Sequence, residues 1–192
     1  MGFLDTLLGR TKPVEPNLDV LFAIPSAAYT LQAALDLAPT GVGAVCFKPA
    51  EGAAAAQSQS DIRALLDLDP TLEVSISRDE FGFTWVTCAQ SPVDLAALVT
   101  GLHAINTTLV DAGFGPFLLC TVVGFHTSAA ERPRRVGLVY LFKRGSVYPF
   151  APAGAQTRDT ALELQVRAAL GGELPIEPEL GRWFPIWDAP VP

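Results

Sequence analysis

The chain is short of the side chains that most often carry catalysis or hold metals. It has two histidines, His103 and His126, and three cysteines, Cys46, Cys88 and Cys120, in separate parts of the sequence. No C-x-x-C pair or nearby carboxylate pattern accompanies them, so neither a zinc site nor a histidine-activated nucleophile is predicted. An odd, scattered set of cysteines argues against a disulfide framework and for a reducing compartment. We therefore expect no catalytic residues, no metal and no cofactor.

Other absences narrow the class of protein. No apolar run approaches the ~20 residues that a membrane span requires. The segments 41–43 and 113–115 are glycine-rich but precede predicted strands, whereas a phosphate-binding loop leads from a strand into a helix. The 13 Lys and Arg against 20 Asp and Glu give a net charge of −7, opposite in sign to a typical duplex-DNA binder. We therefore expect a cytoplasmic protein that binds neither nucleic acid nor a small-molecule ligand.

The chain opens with an amphipathic segment that ends at Pro13. Its apolar side chains, which share one face of a helix at spacings of three and four, are Phe3, Leu4, Leu7 and Leu8. Burying them supplies ~1.5–3 kcal/mol for each fully buried side chain before ordering costs. That is enough for weak docking to a partner groove or a bilayer surface. The alternative is that the segment folds back onto its own domain.

The middle of the chain alternates helical and strand patterns. We predict helices that begin near Ser26, Ser60, Ser91 and either Thr157 or Asp159, and that end before Pro39, Pro70, Gly113 and Gly171. Strands are predicted over 41–48, 72–77, 81–88, 117–126, 136–142 and 147–150. Consecutive antiparallel strands with interspersed helices predict an α+β domain of two layers, a mainly antiparallel sheet with helices packed on it.

Composition divides the chain into three parts: an N-terminal segment and linker over 1–17, a single domain over 18–173, and a C-terminal tail over 174–192. The tail is rich in proline, and it carries Trp183, Phe184 and Trp187. These aromatic side chains have large apolar areas, and leaving those areas exposed to water is unfavourable. The tail is therefore predicted either to contact a partner or to pack on its own domain.

The positive charges are unevenly spread. Five of the 13 cations lie in one short stretch, namely Arg132, Arg134, Arg135, Lys143 and Arg144. A basic patch on an acidic protein indicates an acidic partner, an anionic surface or the chain's own acidic tail. The alternative is a solvated hairpin edge kept soluble by its charge.

With these residues laid out, the chain resembles the PspA-associated protein PspAB family. The segments that carry the resemblance are Met1–Asp5, Leu8–Pro13, Asp79–Trp85, His103–Leu109, Leu138–Gly145, Tyr148–Pro152 and Arg182–Pro185. The resemblance implies envelope-stress maintenance beside the phage-shock protein PspA, with no known catalysis. The element order is also similar to the secretion-chaperone-like fold of YbjN-type proteins.

Three functions follow as hypotheses. The first is a non-enzymatic adaptor that binds a PspA-type coiled-coil protein or an associated membrane complex, with peripheral contact at the inner face of the membrane. Its hydrophobic anchors would be the N-terminal segment and the aromatic tail, and the basic stretch would steer it towards acidic surface. The second is a chaperone-like module, usually dimeric, that holds a client segment in an apolar groove. The third is an enzyme, which requires His103, Asp79 or a cysteine to converge in a pocket.

Overall fold

A computed structural model of the chain describes residues 16–48, 64, 72–127, 133–154, 156–187 and 189–191. Within these ranges, a six-stranded antiparallel sheet carries helices on one face. The predicted α+β class is confirmed. Two sets of predicted binding residues lie outside the described residues, the anchor side chains Phe3, Leu4, Leu7 and Leu8, and the cation Arg132.

The elements follow one another along the chain with short connections. The helices are α1 (Ile24–Leu35), α2 (Leu95–Asp111) and α3 (Thr160–Leu170), and 3₁₀ turns cover Leu18–Ala23, Gly115–Phe117 and Leu180–Arg182. The strands are β1 (Leu37–Phe47), β2 (Leu72–Arg78), β3 (Thr84–Gln90), β4 (Leu118–Thr127), β5 (Arg135–Leu141), β6 (Ser146–Phe150), β7 (Pro152–Gly154) and β8 (Thr157–Arg158). The large sheet has the order β2-β3-β1-β4-β5-β6, and β7 and β8 form a small hairpin.

The predicted strand pairs are confirmed. β2 pairs with β3 in antiparallel register from Leu72 opposite Gln90 to Arg78 opposite Thr84, as the alternating pattern of β2 indicates. β4 pairs with β5, and β5 pairs with β6, both antiparallel. The helix predicted from Ser60 lies outside the described residues except for Ala64, which is helical.

The helix boundaries differ from the prediction at two N-termini. α1 begins at Ile24 instead of Ser26, because the preceding 3₁₀ turn leads directly into it and Pro25 occupies its first turn. α2 begins at Leu95, since the side chain of Asp94 accepts a hydrogen bond from the backbone N–H of Ala97. Ser91 therefore does not start α2.

The first helix ends before Pro39 as predicted, but Pro39 is not the residue that ends it. α1 already ends at Asp36, a left-handed residue with φ 55° whose backbone N–H bonds back to the Gln32 carbonyl. Pro39 lies inside β1, where the register against β4 shifts between Pro39 and Gly43. β3 pairs with β1 from Val42 onward, so Pro39 lies at the sheet margin, where a missing N–H is tolerated.

The ends of α2 and α3 follow the predicted signals. α2 stops before Gly113, which has φ 86° and so takes the left-handed conformation that favours glycine. α3 is capped by Asp159, whose carboxylate accepts from the N–H of Leu162 at 2.9 Å. Its last helical residue, Leu170, directly precedes Gly171.

The main core lies between the sheet and its helices. Fully buried side chains from the helices and strands meet there, among them Leu31, Leu102, Val123, Leu138 and Val166. Asn106 ties α2 to β4, because its buried amide donates to the hydroxyl of Thr121 at 2.9 Å. The same amide also donates to the Leu102 carbonyl at 2.8 Å, within α2 itself.

One described helical run is long and apolar enough to qualify as a membrane span. It covers Leu18–Leu35, with a mean hydropathy of 1.4 over its 18 residues. In the fold, Leu21, Ile24 and Leu31 of this run are fully buried in the main core. Its apolar face is therefore used in packing against the rest of the domain.

A second apolar cluster covers the opposite face of the sheet. Sheet residues such as Trp85, Val122 and Phe150 pack there against Trp183 and Val191 of the tail. The tail therefore packs on its own domain, which is one of the two readings that its composition allows. It adds a partial third layer to the predicted two-layer architecture.

The main core predicts how much stability is lost when a buried side chain of α2 is shortened. We expect Leu102→Ala to lower the free energy of unfolding by ~2–5 kcal/mol, because the side chain is fully buried and the substitution leaves a cavity. Leu164→Ala, on the exposed side of α3, is the matched control and is expected to change it by less than ~0.5 kcal/mol. Urea unfolding measures both. Equal losses in the two variants would contradict the assigned core.

Candidate functional site

The tail attaches to the domain at the last strand of the sheet. Ile176 forms a parallel bridge with Val147 of β6. The N–H of Val147 donates to the Pro175 carbonyl at 2.9 Å, and the N–H of Glu177 donates to the Val147 carbonyl at 2.8 Å. These backbone bonds bring Glu177 onto the end of β6, from which the tail continues over the outer face of the sheet.

Glu177 is a buried carboxylate with several donors around it. Its side chain is 0% exposed, and one oxygen, Oε2, accepts from Ser146 Oγ and from Arg144 Nε, each at 2.7 Å. The other oxygen, Oε1, lies 3.7 Å from a guanidinium nitrogen of Arg182 and accepts from the N–H of Glu179 at 3.3 Å. Burial alone raises the pKa of Glu177, but these hydrogen bonds and the Arg144 charge outweigh it and hold the pKa below its ordinary value.

Trp183 fixes the next part of the tail. Its indole is 5% exposed and stacks on Tyr148 with ring centroids 6.1 Å apart. The indole N–H donates to the backbone carbonyl of Glu177 at 3.0 Å. A guanidinium N–H of Arg158 donates to the Trp183 carbonyl, and Arg158 is itself held by the buried carboxylate of Glu163 at 2.9 Å. Trp183 is thus internal to the monomer and is not an exposed anchor.

A cavity of about 570 Å³ lies between the outer face of the sheet and the tail that follows Trp183; we call it the tail cavity. Its walls are largely apolar. The sheet contributes Cys46, Trp85, Leu119, Cys120 and Leu141, the β2–β3 turn contributes Phe83, and the tail contributes Pro185, Ile186, Trp187 and Ala189. Small-molecule sites in proteins are typically concave, apolar and about 300–1,000 Å³ in volume, so the tail cavity has the size and lining of a binding site.

The tail cavity also has two exposed aromatic side chains and three cations in its lining. Phe81 and Phe184 are each 60% exposed. The cations are Lys143, Arg144 and Arg182. We call Phe81, Phe184, Lys143 and Arg144 the rim. Of the cations, Arg144 and Arg182 are paired with acidic groups, while no acidic partner of Lys143 is found in the described part of the chain.

Asp79 holds the β2–β3 turn at the wall of the cavity. One carboxylate oxygen accepts from the N–H groups of Phe81 and Phe83, at 3.0 and 2.9 Å. The other oxygen accepts from the indole N–H of Trp85 at 2.9 Å. An aspartate that binds its own turn in this way is structural. It fixes the two phenylalanines relative to the buried tryptophan.

Cys46 and Cys120 face each other across β1 and β4 in the same cavity wall. Hydrogen bonding to Cys120, burial and the nearby Asp79 carboxylate raise the pKa of the Cys46 thiol well above its ordinary value. Together these surroundings disfavour the Cys46 thiolate, whereas a catalytic cysteine needs a cation or a proton acceptor that favours it. Asp79 and two cysteines do converge in a cavity, but in an arrangement that disfavours the thiolate of Cys46.

The remaining candidates for chemistry lie elsewhere. His103 is on α2, and its ring lies 4.7 Å from that of Phe22. Cys88 is buried in the main core, where burial raises the pKa of its thiol to about 12. His126 is near the end of β4 and contacts the carbonyl of Thr127. Within the described ranges, no group of three or more His, Cys, Asp and Glu is placed to hold a metal.

The cations of the predicted basic stretch do not form one patch. Arg134 and Arg135 are at the start of β5, where Arg134 lies 4.0 Å from Asp159. Lys143 and Arg144 follow the other end of β5. A strand rises about 3.3 Å per residue, so the two pairs are roughly 20 Å apart. The expectation of a single basic patch is therefore wrong for these four residues, because β5 separates them.

Sequence reasoning predicted Phe184 and Trp187 as partner-binding residues of the tail, but it missed the cavity that they line. Its lining comes from five strands of the sheet, from the β2–β3 and β5–β6 turns and from the tail, and no local pattern joins these segments. One signal was present. The run of prolines with interspersed aromatics suits an extended chain that lies across a surface.

The contacts of Glu177 predict a measurable effect of its charge on stability. We expect Glu177→Gln to lower the free energy of unfolding by ~1–3 kcal/mol, less than for a fully buried pair because Arg144 and Arg182 are partly exposed. Glu179→Gln is the matched control, since the Glu179 side chain is exposed, and it is expected to cost less than ~0.5 kcal/mol. Urea unfolding followed by tryptophan emission measures both. Similar costs would show that Glu177 does not hold the tail.

The same contacts predict a pH dependence. Because the pKa of Glu177 is lower in the folded chain, its charge stabilises the fold above the unfolded value, about 4.3 for a glutamate. That contribution is lost as the pH falls through the lower, folded pKa. We expect the difference in unfolding free energy between the natural chain and Glu177→Gln to be constant above about pH 5 and to shrink below about pH 4. A difference that grows on acidification would contradict the lowered pKa.

Comparison with known proteins identifies the family of this chain. The family model described as PspA associated protein B matches residues 1–191, nearly the whole chain. Neither the curated proteins nor the solved structures contain a match. A family model that covers this much of the sequence shows membership, and it agrees with the resemblance carried by the segments quoted above. The chain belongs to the PspA associated protein B family.

Proposed function

We propose that this protein is a non-enzymatic adaptor that binds a PspA-type coiled-coil protein at the inner face of the cytoplasmic membrane. Membership of a family named for its association with PspA supports this partner. The observation that carries the proposal is the rim of the tail cavity. Two phenylalanines that are each 60% exposed lie there beside Lys143 and Arg144.

The composition of the rim is that of a protein–protein contact. Aromatic residues and arginine are enriched in interfaces and in their energetic hot spots. The backbone behind the rim is also held in place, since Asp79 fixes the turn that carries Phe81. Tyr148 does the same for Phe184, because its hydroxyl donates to the Phe184 carbonyl at 2.8 Å. A surface whose backbone is already ordered loses less conformational entropy on binding.

The absence of catalysis is part of the same proposal, and the environment of the cavity supports it. The hydrogen bond to Cys120 and burial raise the pKa of the Cys46 thiol, and the oxygens of Asp79 already accept hydrogen bonds from the β2–β3 hairpin. His103 lies on α2, which packs on the other face of the sheet. Such an arrangement offers no nucleophile with a base in hydrogen-bonding reach.

The rim predicts the effect of substitutions on partner binding. We expect the natural chain to bind a purified PspA-type coiled-coil protein. Phe81→Ser combined with Phe184→Ser is expected to weaken binding about 30-fold, the loss of roughly 2 kcal/mol that one hot spot carries. Tyr29→Ser is the matched control, because Tyr29 is 81% exposed on α1, which packs on the opposite face of the sheet. Calorimetric titration measures the three affinities, and equal affinities for the rim variant and the natural chain would refute the rim as the contact.

The N-terminal segment predicts membrane contact. We expect the full chain to float with anionic liposomes, and Phe3→Ser combined with Leu7→Ser to reduce the floating fraction, because two of the four anchor side chains are removed. The matched control is Thr6→Ser, a change at a polar position of the same segment. Equal flotation of all three chains would remove the N-terminal anchor from the proposal.

A second function is favoured by one observation. A chaperone-like module that holds a client segment requires an exposed apolar groove, and the tail cavity with its aromatic rim fits this description. Such modules usually act as dimers, so light scattering of the purified chain distinguishes the two functions. A dimer supports the chaperone-like module, and a strict monomer supports the adaptor.

A further inference from the structure

The tail cavity has a property that the adaptor role does not require, an apolar interior with its polar groups already bonded. Both oxygens of Asp79 accept hydrogen bonds from the β2–β3 hairpin. The hydroxyl of Tyr148 donates to the Phe184 carbonyl. The rest of the interior is formed by aromatic, aliphatic and thiol groups.

This lining selects among the possible occupants. A peptide segment brings backbone N–H and C=O groups, and burying such a group without a partner costs about 1–3 kcal/mol. A hydrocarbon chain brings none. Each methylene that it buries contributes about 0.8 kcal/mol. The interior therefore favours a hydrocarbon chain over a peptide.

The cations in the lining determine which end group suits the mouth. Lys143 is exposed and has no acidic partner within the described ranges. Arg144 is held at Nε by Glu177 while its side chain stays 42% exposed. Its two terminal nitrogens have no hydrogen-bond partner in the part of the chain that the structure describes. A guanidinium anchored in this way can still donate to a carboxylate or a phosphate.

We propose that the tail cavity binds a single-chain anionic amphiphile, with its acyl chain between the sheet and the tail and its carboxylate or phosphate at Lys143 and Arg144. This site goes beyond the adaptor function and does not depend on it. The shared chemistry is one acyl chain and one anionic head group, as in a free fatty acid or a lysophospholipid.

The natural full-length protein allows a direct test, because its tryptophans report on the cavity. Trp85 and Trp187 line it, and Trp183, the third of the three tryptophans in the chain, lies in the apolar cluster behind it. Bromine quenches indole emission on contact. Octadecanoate brominated in mid-chain, below its micellar concentration, is therefore expected to remove most of the emission, and plain octadecanoate is expected to leave it unquenched.

Two head groups identify the source of the ligand. Displacement of the brominated probe by hexadecanoate alone indicates a free fatty acid, and displacement by palmitoyl-lysophosphatidylglycerol as well indicates that a membrane lipid also enters. Hexadecanol is the uncharged control and is expected to bind about fivefold more weakly than hexadecanoate, since it lacks the contact with Lys143.

Variants separate the acyl site from the head-group site. Leu119→Trp places a larger side chain in the cavity wall and is expected to weaken hexadecanoate binding about tenfold, by removing space for one or two methylenes. Lys143→Glu is expected to abolish the preference for hexadecanoate over hexadecanol. Arg135→Glu, the same change of charge at the far end of β5, is expected to leave that preference intact.

The proposal is overturned if the brominated chain leaves the tryptophan emission of the natural protein unchanged, a result that depends on no variant. Binding of an apolar peptide in place of every amphiphile would likewise reject it. These experiments contain no PspA-type partner. Failure here therefore leaves the adaptor function standing, and failure of partner binding leaves the acyl site standing.

Discussion

Glu177 imposes a constraint on the C-terminal part of the molecule, because a buried carboxylate must keep its donors close. Arg144 lies in the turn before β6, Ser146 is the first residue of β6, and Arg182 lies in the tail, so one side chain joins the end of the sheet to the segment that crosses it. The Glu177 carbonyl also receives the indole N–H of Trp183. If Glu177 were displaced, the guanidinium groups of Arg144 and Arg182 would lose this acidic partner, and the indole of Trp183 would lose its acceptor. The tail is therefore held in one position on the domain.

The two faces of the sheet have different roles. The face under the helices is filled by aliphatic side chains from α1, α2 and α3, as stability requires. The outer face is covered by the tail, which packs tightly at Trp183 and leaves a cavity further along. An incomplete cover of this kind provides a binding surface on a rigid support, and catalytic groups are not needed for it.

Local signals accounted for most of the elements. The strand pattern over 72–77 predicted β2, and Gly113 marked the end of α2, because these patterns act within a few residues. Pro39 misled the prediction, since its effect depends on which side of β1 is paired, a property of the whole sheet.

The cavity was beyond local reasoning for the same kind of reason. Cys46 and Cys120 become neighbours through strand register, and Trp187 reaches them through the path of the tail. Prediction of the site would require the positions of segments more than sixty residues apart to be known together. The basic stretch shows the converse, since residues close in sequence are separated by the length of a strand.

The bridge between Val147 and Ile176 has a consequence for the protein in a crowded solution. β6 is the last strand on its side of the sheet, and the backbone groups of such a strand are a template for another chain. The tail occupies part of that template, with hydrogen bonds on both sides of Val147. A chain cut before Pro175 would present this strand bare, and its characteristic failure would be joining of two sheets into a larger assembly rather than simple loss of folding.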